Sequence, residues 1–64
     1  MSADLKQAIG ALRVVASVYE GYASDIEYEI MTGEQKYPAL AEGSAKRWRQ
    51  MAEEARATAA RLEQ

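Results

Sequence analysis

Apolar residues recur along this chain at alternating steps of four and three. Leu5, Ile9, Leu12, Ala16, Tyr19, Ala23, Ile26 and Ile30 form one stripe, and Ala41, Ala45, Trp48, Ala52, Ala55, Ala59 and Leu62 form a second. That spacing places each set on one side of an α-helix. Gly33 and Pro38 punctuate the gap between the stripes. The pattern predicts an all-α fold in a single domain: a helix over about 3–31, a turn over 32–37 and a second helix over about 38–62, closed as an antiparallel two-helix hairpin.

The ends of these segments carry the expected signals. Ser2 is a good N-cap, and Asp4 suits the positive end of the helix dipole. Gly33 is free to take the left-handed conformation that ends a helix. Pro38 fits a first helical position, where its missing N–H costs nothing. Gly43-Ser44 is a weak point in the second helix. Ala41 and Ala45 keep the stripe in phase across it, and Glu42 and Lys46 form a well-oriented i,i+4 pair, so one continuous helix is expected.

Closing the hairpin around residue 35 sets position i near position 70 minus i. Ile26 then faces Ala45, Ala23 faces Trp48, Tyr19 faces Met51 and Ala52, and Ala16 faces Ala55. Large residues meet small ones through much of the length, as interdigitating layers require.

A two-helix hairpin does not cover every apolar position. Ala11, Val14, Val15, Val18 and Tyr22 make a further stripe beside the first. Valines left in water form a patch of the kind that marks an interface. Ala11, Val14, Val15 and Val18 are therefore the expected dimer interface, and the dimer a four-helix arrangement. Gly10 and Gly21, inside the first helix, each cost about 1 kcal/mol relative to Ala and read either as tolerated defects or as points of close approach by a second backbone.

Size argues in the same direction. A 64-residue chain buries only about 60% of its extended surface on folding and usually needs a staple. With no cysteine and no histidine, disulfides, thiolate chemistry and the commonest metal ligand are absent, which leaves self-association. No metal or cofactor is expected. Neither a Ser-His-Asp nor a Cys-His set can be assembled, and no Gly-rich phosphate loop precedes a helix, so the chain does not read as an enzyme. Ser2-Ala3-Asp4 begins no basic, apolar leader, and no run is long enough to span a bilayer; a cytoplasmic protein with no membrane partner is expected. A net charge of -2 disfavours general nucleic-acid binding.

The charges themselves are unevenly placed. Asp25, Glu27 and Glu29, with Glu20 nearby, crowd the end of the first helix, where the dipole favours cations. Lys46, Arg47 and Arg49 are expected opposite them as ion pairs. Tyr22, Tyr28 and Tyr37 lie on or beside this acid, and tyrosine is common in binding interfaces. Tyr22, Asp25, Glu27, Tyr28, Glu29 and Tyr37 are thus the candidate partner-binding residues. Trp48 falls in phase with the core stripe, so Lys46-Arg47-Trp48-Arg49 reads only weakly as a nucleic-acid site.

In size, acidity and hairpin plan, with the acidic, tyrosine-bearing stretch Tyr22 to Tyr37 followed by Lys46-Arg47-Trp48-Arg49, the chain resembles the phage anti-quorum-sensing family. The resemblance spans about Leu5 to Leu62. It implies a dimeric, non-catalytic inhibitor that blocks a host bacterial protein: a quorum-sensing transcription factor bound by its DNA-binding region, or an ATPase. The rival readings are an assembly subunit or chaperone of a coiled-coil complex, and a small DNA-binding regulator using Lys46, Arg47 and Arg49.

Overall fold

The computed structural model describes residues 2–64. Helix α1 spans Ala3–Thr32 and helix α2 spans Pro38–Glu63, and the two pack against each other with no strand among the described residues. The rod measures 47 × 13 × 11 Å.

Local chemistry sets the helix ends. The Leu5 N–H donates to Ser2 Oγ at 3.1 Å, and Asp4 lies in the first turn. Gly33 takes φ 81° and ends α1. The reversed chain sends the Gln35 N–H back to the Glu29 carbonyl at 3.2 Å, while the Thr32 hydroxyl donates to the same carbonyl and the Gln35 side-chain amide donates to the Glu29 carboxylate at 2.9 Å. Glu29 thereby clasps the turn. Pro38 opens α2, whose first backbone bond runs from Ala41 N–H to the Tyr37 carbonyl. Gly43-Ser44 does not interrupt α2.

The seam between the helices is built almost entirely of alanine. Ile9, Ala16 and Ala23 on α1 and Ala41, Ala45, Ala52 and Ala59 on α2 are buried, with Ala16 and Ala23 at 0% exposure. Except for Ala41, these positions repeat at steps of seven on each helix, the central line of both stripes. Alanine at this line lets two helices come close, and it loses no rotamer entropy on burial. Leu12, Tyr19, Ile26 and Trp48 flank it and keep part of their surface in water. Among the described residues no large side chain is fully buried.

Charge closes one edge of the seam. Arg13 pairs with Glu63, Glu20 with Arg56 and Glu27 with Arg49. Each helix contributes at steps of seven, so the pairs form rungs of one ladder. Arg49 grips Glu27 with two nitrogens, its Nε at 3.2 Å from Oε2 and an Nη on Oε1, and a second contact reaches Ser24 Oγ at 3.5 Å. A forked guanidinium–carboxylate pair fixes direction as well as distance.

Aromatic residues close the opposite edge. Trp48 packs against Tyr19, with ring centroids 5.3 Å apart, and edge-on to Tyr22 at 5.0 Å. The Tyr22–Trp48 contact matches the register that the turn predicts. Tyr19, which that register sets opposite Met51 and Ala52, also lies against the indole, because the ring is too large for an alanine seam and leans along the edge.

Candidate functional site

The six residues expected to bind a partner do not share one surface. Glu27 belongs to the ladder edge. The Arg49 guanidinium, by hydrogen bonding and by its charge, holds the Glu27 carboxyl below the usual carboxylate range, and Arg49 is raised in return. Glu29 is occupied in the turn by Gln35. Tyr28 is exposed, three residues beyond Asp25 and away from the aromatic edge. Tyr22, Asp25 and Tyr37 fall on the aromatic edge.

That edge carries three adjoining shallow hollows. Ile26, Gln35, Tyr37, Leu40, Ala41 and Ser44 line the one nearest the turn. Tyr22, Asp25, Ile26 and Trp48 line the next, which shares Ile26 with the first. Ser44, Arg47, Trp48 and Met51 line the third, which shares Trp48 with the second. Leu40, at 74% exposure, and Tyr37 stand out at the turn end. The surface is apolar and aromatic, with one acid and one base on it. Asp25 and Arg47 make no ion pair among the described residues.

The expected neutralisation of the acid is corrected in its members. Arg49 alone of the three basic residues reaches it. Lys46 instead pairs with Glu42 within α2 at 3.8 Å, and Arg56 neutralises Glu20. One turn of helix carries Lys46 and Arg47 around the axis from Arg49, so the three bases and Trp48 do not share one side.

The valine stripe lies on the outer side of α1 and runs into the aromatic edge at Tyr22. Val14 is 64% exposed, and Val15 and Val18 remain open to water as well. Among the described residues no group of three or more acidic residues is placed to hold a metal ion, and no helix is long and apolar enough to cross a membrane.

Sequence reasoning assigned Trp48 to the core and did not single out Leu40, Ser44 or Met51 for the surface. The available signal was the alanine content of the α2 stripe: an indole set among alanines at a flanking position projects out of a narrow seam. Compared with family models, curated proteins and solved structures, the chain matches none. The site is therefore read from its own residues.

Proposed function

We propose that this protein is a non-catalytic protein–protein interaction module: a homodimer, forming a four-helix arrangement through Ala11, Val14, Val15 and Val18, that binds and blocks another protein. The observation that carries the reading is the aromatic edge. Tyr22, Trp48, Tyr37 and Leu40 expose an apolar surface beside an unpaired carboxylate, Asp25. Shallow aromatic surfaces with a few polar groups suit protein contacts, whereas catalysis needs a cleft that excludes water.

Within that class we favour a phage-type inhibitor of a host bacterial regulator, a quorum-sensing transcriptional activator in the first instance. Asp25 would face the basic, DNA-contacting side of such a partner, and Tyr22 and Tyr37 would supply the apolar contact. The direct test mixes a purified quorum-sensing activator, its operator DNA and this protein. The reading expects displacement of the DNA, reversed by Asp25→Ala with Tyr37→Ala and retained by Glu27→Gln. Failure of the native protein to displace DNA at any concentration would remove the inhibitor.

The thin core favours one alternative, an assembly subunit that completes its fold on a coiled-coil partner. A chain whose buried residues are nearly all alanine has little apolar burial of its own. A melting transition that is broad and independent of concentration would support that reading over a self-contained dimer.

A further inference from the structure

The hollow lined by Tyr22, Asp25, Ile26 and Trp48 differs from its neighbours in charge and in the nature of its walls. Asp25 is the only charged side chain on it. No base lies within four residues of Asp25 on α1, and across the seam Arg49 is held by Glu27. Arg47 lines the adjoining hollow beyond Trp48 and not this one. The Asp25 carboxylate thus has no cation of its own chain paired with it among the described residues.

The walls favour the same sign of ligand. Tyr22 and Trp48 meet at 62° with centroids 5.0 Å apart, so the two rings make a corner and not a single plane. The face of an aromatic ring is the negative part of its quadrupole and attracts a cation within about 6 Å. Trp48 also packs on Tyr19, so the indole is held before anything binds, and little order is lost on binding. Shape then selects among cations. The hollow is shallow, whereas a free small ligand needs a site that covers most of its surface. A side chain projecting from a protein brings its own cover with it. A guanidinium is planar and weakly hydrated, stacks on aromatic faces and pairs with a carboxylate through two N–H groups at once. An ammonium is more strongly hydrated and offers no plane.

We propose that this hollow is a recognition site for one arginine side chain of a basic partner protein, stacked against Trp48 and Tyr22 and paired with Asp25. This rests on the aromatic edge being the partner-binding surface, and it gives that surface a chemical preference: arginine, and not basic charge in general.

The experiment titrates the full chain with acetyl-Gly-Arg-Gly-amide and follows the Trp48 indole N–H and the backbone amides by NMR. Matched peptides carry citrulline, which keeps the planar end without the charge, or lysine, which keeps the charge without the plane. The arginine peptide saturates with a dissociation constant of about 1–10 mM, the scale of a single side chain. It moves the Trp48 indole and the amides around Asp25. The lysine peptide binds about threefold or more weaker, and the citrulline peptide does not saturate. Asp25→Asn, an exposed change that leaves the helicity intact by circular dichroism, weakens the arginine peptide by about threefold or more. Tyr22→Leu does the same by removing the ring, and Glu54→Gln, outside the hollow, changes nothing. Lysine bound as tightly as arginine, equal affinities for Asp25→Asn and the native protein, or no saturable shift at all would each overturn the assignment. If the site fails in this way while DNA displacement is still lost in Asp25→Ala with Tyr37→Ala, the inhibitor reading stands without it. Arginine binding by a protein that displaces no DNA sustains the site and removes the inhibitor.

Discussion

The Trp48 indole lies edge-on to the Tyr22 ring, centroids 5.0 Å apart with 62° between the planes. This tilted approach sets the positive edge of one ring toward the negative face of the other, worth about 0.5–1.5 kcal/mol beyond area burial. It is also where the valine face and the aromatic edge meet, so one contact serves the hairpin and its outer surface together.

Trp48→Ala is expected to destabilise the hairpin by about 1–3 kcal/mol, less than a fully buried aromatic because part of the ring is already in water. Trp48 is the only tryptophan, so its fluorescence reports this edge alone. Tyr22→Phe should leave the emission maximum in place, and Tyr22→Ala should shift it to the red. Identical spectra for the two variants would show that the rings do not meet in solution.

The alanine seam should resist enlargement. Ala23→Leu or Ala52→Leu must push the helices apart along the rod, at a cost of about 1–3 kcal/mol. Thermal unfolding by circular dichroism measures it. The same change at exposed Ala57 or Ala60 should fall within about 0.5 kcal/mol of the native protein.

The Glu27–Arg49 pair gives stability a pH dependence of known sign. Folding lowers the Glu27 pKa below its ordinary 4.5. Its stabilisation is therefore complete above the unfolded value and is lost as pH falls through the folded one. Melting temperatures of the native protein and Glu27→Gln should differ at pH 7 and converge below pH 4.5. Salt should shrink the difference at pH 7, because both side chains face water.

Gly33→Ala should shorten or distort the turn. A φ of 81° is strained for any residue with a Cβ even where space is open, and the loss is expected near 1 kcal/mol. Hydrogen exchange at the Gln35 amide, which returns to Glu29, would register it first.

The parts of the fold that depend on neighbours in sequence were legible. Ser2, Gly33 and Pro38 act within a few residues of themselves, and they stand at the helix ends. The apolar stripes gave the two packed helices because a helix converts spacing directly into a face. The side on which each flanking residue falls depends on how far apart the helices lie, and that was harder to read. Large residues at alternate positions suggested that Trp48 and Tyr19 fill the seam, whereas alanine on both central lines leaves no room for them. The charges were read as one cluster because Asp25, Glu27 and Glu29 are close in sequence. On a helix two residues apart means nearly opposite sides, and that alone parts Glu27 from Asp25. The rungs at 13, 20 and 27 and at 49, 56 and 63 were visible as sevens, but they acquire meaning only once a register joins them.

The order of signs along those rungs has its own consequence. Reading from the open end, α1 contributes Arg13, Glu20 and Glu27, and α2 answers with Glu63, Arg56 and Arg49. Sliding α2 by one heptad in either direction still sets Ala16 or Ala23 against an alanine of α2, so the seam alone discriminates weakly against the error. One such slip sets Arg13 against Arg56 and Glu27 against Glu42 and keeps one attractive rung, Glu20 with Arg49; the other sets Glu20 against Glu63 and keeps only Glu27 with Arg56, so either slip trades three attractive rungs for one. The ladder thus works as a proofreader of alignment, favouring the native register over slipped hairpins that the seam alone separates poorly.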